Sequence, residues 1–379
     1  MHVLVVSVGN SQGTCEALIS RGLDVSALRP ATIDLGDFGG PQQVSGEGLP
    51  YPLYTLPVFP QRPYPYSLYR GGLPRVLKQA KPDLVYCLGE PSELGVAQVV
   101  RQTRKLLPQA RVVLYSFENL SRPWQGFPRC LRGRALEQTV PLVDAVAACT
   151  QTCADYWAGL GFPPERTRVV YNGADPEHFR RRESAEVRRE LAPDDAFLVG
   201  YVGRLVHEKA VDVLLRAVAS LPETFHLALV GQGALENDLR SLALGLGLGN
   251  RVCWPGRVSK EQMPEYLSAF DALVLPSRAI PVWQEQYGMV MVEAMLCGTP
   301  VVGSSSGAIP EVIGEAGMVF PEEDVPALAA ALQSLQQDPQ LGADLAGKGL
   351  RRAREQFTWQ VVSDRLLALF EETISRPRR

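Results

Sequence analysis

At 379 residues, with 46% hydrophobic and 21% charged positions, the chain exceeds a usual single core and reads as two globular domains of ordinary size. No apolar run approaches the roughly 20 residues of a membrane-spanning helix, which argues against a helical integral membrane protein. The net charge of -3 is uneven: residues 1–182 hold 20 Lys and Arg against 15 Asp and Glu, and residues 183–379 hold 18 against 26. That asymmetry favours an anionic partner on the front half, either an acceptor phosphate or an acidic membrane surface. No nucleic-acid motif accompanies the basic residues, so nucleic acid is not expected. Seven cysteines, an odd number, support neither a disulfide framework nor a zinc site and are expected to be buried thiols.

In chain order, the opening Met1–Gly9 run has no basic leader and reads as a first strand, so a cytoplasmic chain is expected, with the inner membrane face as a candidate working place. Further strands are predicted at 83–87, 111–116, 144–149 and 168–171, then at 197–202, 226–230, 251–254, 272–275, 300–303 and 318–320. Helical stretches alternate with them, which predicts an α/β chain of two Rossmann-like, doubly wound parallel sheets. The boundary is placed at 182/183, inside the polar stretch between Phe179 and Asp195. In such sheets ligands bind beyond the carboxyl ends of the strands, so a central cleft between the domains is the expected site. Two irregular segments stand out. Residues 49–73 are dense in Pro and Tyr and read either as an aromatic-lined flap for a sugar or as a structural loop. Residues 121–134 combine Trp124 and Phe127 with Arg122, Arg129, Arg132 and Arg134, which suits either a peripheral membrane contact or a solvated basic helix start.

The most informative feature is a pair of glutamates, Glu285 and Glu293, with seven residues between them. A helix predicted to start near Tyr287 places Glu285 just before its first turn and Glu293 two turns into it. Free amides at Tyr287, Gly288 and Met289 would then face a phosphate. Carboxylates accept hydrogen bonds from sugar hydroxyls, so Glu285 can hold a hexose on one side of that phosphate and Glu293 a ribose on the other. The bland reading makes Glu285 a dipole partner and Glu293 a solvated helix residue. After the strand ending at Val202 comes Gly203-Arg204-Leu205, with Lys209 five residues beyond Arg204. These two cations can grip a diphosphate without a metal, although cations near a helix start are more often surface residues. Gly231-Gln232-Gly233 follows another strand and gives a base or phosphate room to approach; Gly9, closing the first strand, joins this donor-binding set.

Together these segments, with Gly298-Thr299-Pro300-Val301-Val302 and Gly307-Ala308-Ile309-Pro310-Glu311, resemble the retaining family 4 glycosyltransferases of GT-B fold. Tyr171-Asn172-Gly173 upstream and Phe357-Thr358-Trp359 downstream extend the resemblance. It implies a donor domain at 183–356 and a final helix, 357–379, packing back onto an acceptor-side domain at 1–182. It implies Arg204 and Lys209 on the donor diphosphate, Glu293 on the ribose and Glu285 facing the transferred hexose, with Arg204, Lys209 and Glu285 carrying catalysis. It implies no metal and no cofactor beyond the nucleotide-sugar substrate (UDP-, GDP- or ADP-linked), and a glycan or lipid-linked acceptor. A first-domain histidine common in the family is missing: the only histidines are His2, His178, His207 and His226. Glu118 and Asn119, beyond the strand ending at Ser116, are assigned its place, against a loop-cap reading. A nucleotide-sugar epimerase, a phosphorylase and a non-catalytic nucleotide-sugar-binding protein are the alternatives.

Overall fold

The computed structural model describes residues 1–9, 11–34, 41–123 and 125–377, so Asn10 and Trp124 lie outside the described residues. By its internal contacts the chain divides into two compact units, Met1–Gly173 with Trp359–Arg379, and Ala174–Thr358.

The first unit is built on a seven-stranded parallel sheet. Its spatial order is Thr167–Val169, Ala145–Ala148, Arg111–Ser116, Leu84–Leu88, His2–Ser7, Asp24–Pro30 and Leu53–Leu56. The central strands are near-continuous Val and Leu runs because helices cover both faces of a parallel sheet, and Val3, Leu4, Val5, Leu84, Val85, Val112 and Val113 are all fully buried. Asp24–Pro30 and Leu53–Leu56 were not foreseen; Ser26, Arg29 and the terminal proline break the apolar run of the first, and Tyr54 and Thr55 that of the second. Chain order reverses at His2–Ser7, which pairs with Asp24–Pro30 on one side and Leu84–Leu88 on the other. The C-terminal helix Trp359–Ser375 belongs to this unit. A Cβ on Gly173 would stand 2.4 Å from the Trp359 ring, so only glycine admits the indole there. Phe370 meets Tyr86 edge-on at 5.1 Å, and Arg21 pairs with Asp364 at 2.5 Å.

The second unit carries a six-stranded parallel sheet ordered Val252–Gly256, Phe225–Val230, Phe197–Val202, Ala272–Leu275, Val301–Ser304 and Met318–Phe320. Here the order reverses between Phe197–Val202 and Ala272–Leu275. The doubly wound α/β architecture read from the sequence is therefore present in both units.

Of the two readings of the segment 49–73, the structural one describes most of its length: Leu53–Leu56 joins the main sheet, Val58–Phe59 pairs antiparallel with Leu68–Tyr69, and Tyr51 and Tyr69 are buried. The expectation of seven buried thiols needs correcting. All seven cysteines are free, but Cys130 is exposed, and Cys253, on the edge strand Val252–Gly256, is half-buried like the rest of that strand. No helix among the described residues is long and apolar enough to cross a membrane. In the basic segment 121–134, Phe127 is 84% exposed, while Arg122 turns inward to Glu118 and Arg132 to Ser92.

Candidate active site

In the second unit the predicted donor residues converge on the switch point of the sheet, the crevice where doubly wound folds bind ligands. Gly203 ends the strand Phe197–Val202, and a turn of 3-10 helix at His207–Lys209 follows before the α-helix Val211–Ala219. Lys209 is thus held in a tight turn, two residues ahead of the α-helix. Across the switch point, the strand Ala272–Leu275 runs into the loop of Ser277 and Glu285.

Glu285 is 6% exposed and is the hub of the site. Its Oε2 accepts from Lys209 Nζ at 2.5 Å and from Ser277 Oγ at 2.8 Å. Its main-chain oxygen accepts from Ala308 N at 2.9 Å. A Cβ on Gly307, where φ is +52°, would stand 2.1 Å from that same oxygen. The 304–308 turn therefore locks the glutamate backbone in place, and only glycine can close the turn this tightly. Lys209 Nζ also lies 4.9 Å from the centre of the Trp283 ring. The segment that presents this indole is a tight turn closed by two main-chain bonds between Ile280 and Trp283. Arg278 ties it down through Asp212 at 2.6 Å and Glu323 at 2.6 Å.

The helix beyond Glu285 runs Met289–Leu296, two residues later than predicted, with Gly288 as its left-handed N-cap at φ +79°. Glu293 consequently stands little more than one turn into the helix. Its carboxyl is pushed up to about 7 by burial, with Lys260 opposing the rise. The amides of Gly288 and Met289 remain at the open helix start, whereas the Tyr287 side chain is 3% exposed and packs edge-on against Phe357. Tyr287 can offer a ligand its backbone only.

Arg204 is about half exposed and pairs with Glu208 at 3.3 Å. The glycines 203, 231 and 233 also answer a packing need. A Cβ on Gly231 would stand 1.9 Å from Gly203 O, and one on Gly233 would stand 2.3 Å from Leu205 O. The two loops are stitched by Gly203 N to Val230 O and Leu205 N to Gln232 O, both at 3.0 Å. Close backbone packing, which fixes where Arg204 emerges, requires glycine at 231 and 233, while at Gly203 a Cβ would stand 2.7 Å from the Tyr201 hydroxyl. Gly9 lies in the first unit, and a Cβ there would meet nothing within 4 Å.

In that first unit Glu118 and Asn119 are both buried beyond the strand Arg111–Ser116. Glu118 pairs with Arg122 at 3.0 Å. The loop is pinned by Glu90, which the sequence reading missed: its carboxylate accepts from Ser116 Oγ at 2.6 Å, Phe117 N at 2.7 Å and Glu118 N at 3.1 Å. Burial raises Glu90 to about 8 against those bonds. Ser277 and Trp283 were also missed. Ser277 follows the predicted strand 272–275 at its carboxyl end, a signal that could have found it; the indole had no signal without the turn.

Comparison with known proteins decides the family. The model for glycosyl transferases group 1 matches residues 183–352, and that for glycosyltransferase family 4 matches residues 12–178. The chain belongs to the family 4 glycosyltransferases. As a family member it is 29% identical over 342 residues to D-inositol 3-phosphate glycosyltransferase 1 of Catenulispora acidiphila, covering 83% of this chain and 80% of that protein. It is 34% identical over 264 residues to the Stackebrandtia nassauensis D-inositol 3-phosphate glycosyltransferase, 64% of this chain but 58% of that one. The chain thus spans little more than half the length of that second relative. Among solved structures, Anabaena HepE in complex with UDP shares the GT-B fold with a TM-score of 0.79 at 21% identity, covering 98% of this chain and all of that one. Sucrose-phosphate synthase of Thermosynechococcus elongatus follows with a TM-score of 0.74, 21% identity and 98% of each chain covered.

Proposed function

We propose that this glycosyltransferase moves a hexose from a nucleotide sugar to a hydroxyl of a glycan, lipid or other glycoconjugate, with retention at the anomeric carbon and without a metal. The observation that carries the reading is the convergence of Lys209 and Ser277 on Glu285 at the start of the helix Met289–Leu296. A donor diphosphate arriving at that helix start meets Arg204, Lys209 and the amides of Gly288 and Met289. Lys209 then exchanges its carboxylate partner for phosphate, which frees Glu285 to bond the hydroxyls of the hexose. Glu293 takes the ribose. In the transfer the bond from the anomeric carbon to the phosphate oxygen breaks as the bond to the acceptor oxygen forms, and the acceptor proton passes to the leaving phosphate. Fixed positive charge at that phosphate lowers the barrier, and no side chain needs to act as nucleophile. The UDP held by HepE makes uridine diphosphate sugars the first donors to try, and the names of the inositol-phosphate relatives direct the acceptor search toward phosphorylated polyols.

The test is calorimetric titration of the chelator-treated protein with UDP-, GDP- and ADP-sugars. One donor class is expected to bind, and Arg204→Ala with Lys209→Ala is expected to weaken it by about tenfold or more, the loss of charge-assisted bonds. Unchanged affinity in that variant removes the diphosphate assignment. An α-linked product from an α-linked donor, read by NMR, checks retention; an inverted product removes it.

A further inference from the structure

A hollow of about 870 Å³ opens in the first unit at the amino ends of the strands Arg111–Ser116, Ala145–Ala148 and Thr167–Val169, beside the end of the helix Trp359–Ser375. Doubly wound sheets bind their substrates at the opposite, carboxyl ends, so the transfer reaction does not account for it. Four arginines line it, Arg104, Arg111, Arg166 and Arg376, against two carboxylates, Asp144 and Glu165. Positive charge is left over by the way they pair. Arg104 and Arg111 share Asp144, at 2.6 and 3.5 Å, and that carboxylate also accepts from Val112 N at 2.7 Å. Arg168 and Arg376 share Glu372 in the same way, at 3.0 and 2.5 Å. Arg166 donates to Val143 O at 3.0 Å and lies over the Phe162 ring. Arg376 Nη2 also donates to Glu165 O, whereas its Nη1 is buried and has no hydrogen-bond partner. A charged donor held out of water with nothing to meet is costly, and an incoming oxyanion satisfies it. The rest of the wall is apolar, including Leu142, Leu160, Phe162 and Pro163. Size, apolar lining and a few convergent polar groups are together the character of a small-molecule site. An adjoining hollow that shares Pro108 adds Lys78 and Lys81 against Asp83, which raises the positive potential around the entrance.

We propose that this hollow is a binding site for an organic phosphate, with a phosphate or diphosphate group on Arg166 and Arg376 and a planar or apolar body against Leu142, Leu160 and Pro163. The proposal goes beyond the transferase reading and does not depend on it, since the donor residues belong to the other unit. Because Arg376 follows the helix Trp359–Ser375, the bound molecule ties that helix end to the starts of the strands and stabilises the folded chain by mass action.

The test is calorimetric titration with ADP, inorganic pyrophosphate and adenosine, made on the Arg204→Ala, Lys209→Ala variant so that the cations of the donor site do not contribute. ADP is expected to bind, pyrophosphate to bind about fivefold or more weakly for want of an apolar body, and adenosine to show no binding. Adding either Arg166→Gln or Arg376→Gln is expected to weaken ADP by about tenfold or more, with circular dichroism as the check on folding. The same two changes in the otherwise unaltered chain should leave nucleotide-sugar affinity within about twofold, as distant sites do. ADP affinity unchanged by both arginine substitutions puts the nucleotide elsewhere and overturns the proposal. So does failure of both ADP and pyrophosphate to bind, or adenosine binding as tightly as ADP. Pyrophosphate as tight as ADP removes the organic body from the site. A native chain that binds no nucleotide sugar sinks the transferase reading alone, because these titrations are read without the donor cations.

Discussion

Glu285 and Glu293 are both glutamates beside one helix start, yet their surroundings give them different properties. Glu285 is met by Lys209 and Ser277; Glu293 has only burial, opposed weakly by Lys260, and its carboxyl sits near 7. A ribose needs the ionised form as acceptor, so nucleotide affinity is expected to rise as pH climbs from about 6 to 8 and to level off above. Glu293→Gln should flatten that profile and weaken binding by about tenfold at pH 8. Calorimetry across that pH range checks it, and a variant that kept the wild-type slope would remove Glu293 from the ribose. The glutamate spacing was legible in the sequence. The partners were not, because Lys209 is 76 residues from Glu285 along the chain.

At the scale of elements, the site is made of loops that follow strands, each held by backbone contacts too close for a side chain. The turn at Gly307 fixes Glu285, and the turn at Gly231 fixes the loop from which Arg204 emerges. Gly307→Ala is expected to cost about 1–3 kcal/mol in urea unfolding, from the positive φ and the displaced Glu285 carbonyl, and to lower donor affinity as well. A variant as stable as the wild type would show that the turn yields without moving the glutamate. Sequence pattern placed Gly231 after a strand and read it as room for a ligand, and quoted Gly307 only as part of the family motif. The pairing of the two loops is a long-range contact with no local signature, so their packing role came only with the fold.

Across the whole molecule, three carboxyls, Glu90 near 8 with Glu93 and Glu293 near 7, bind protons more tightly folded than unfolded. Between about pH 4.5 and 8 the folded state therefore holds more protons than the unfolded one, and stability declines as pH rises through that window. The melting temperature is expected to fall from pH 5 to pH 8.5. Glu90→Gln, which keeps acceptor capacity toward Phe117 N and Glu118 N, should reduce the slope. A stability that rises with pH, or a variant slope equal to the wild type's, would contradict this.

Local pattern alone determined the class of the fold, since Val- and Leu-rich runs alternating with helices have few ways to bury their faces other than parallel sheets. It also determined the family, because charged and glycine positions with fixed spacing along one segment survive being read in a line. Tertiary structure decided everything that depends on two distant segments meeting: Lys209 on Glu285, Trp283 beside it, Glu90 beneath the 117–120 loop, and four arginines gathered at the amino ends of the first unit's strands. Burial and charge pairing are properties of neighbours in space. A sequence lists neighbours only along the chain.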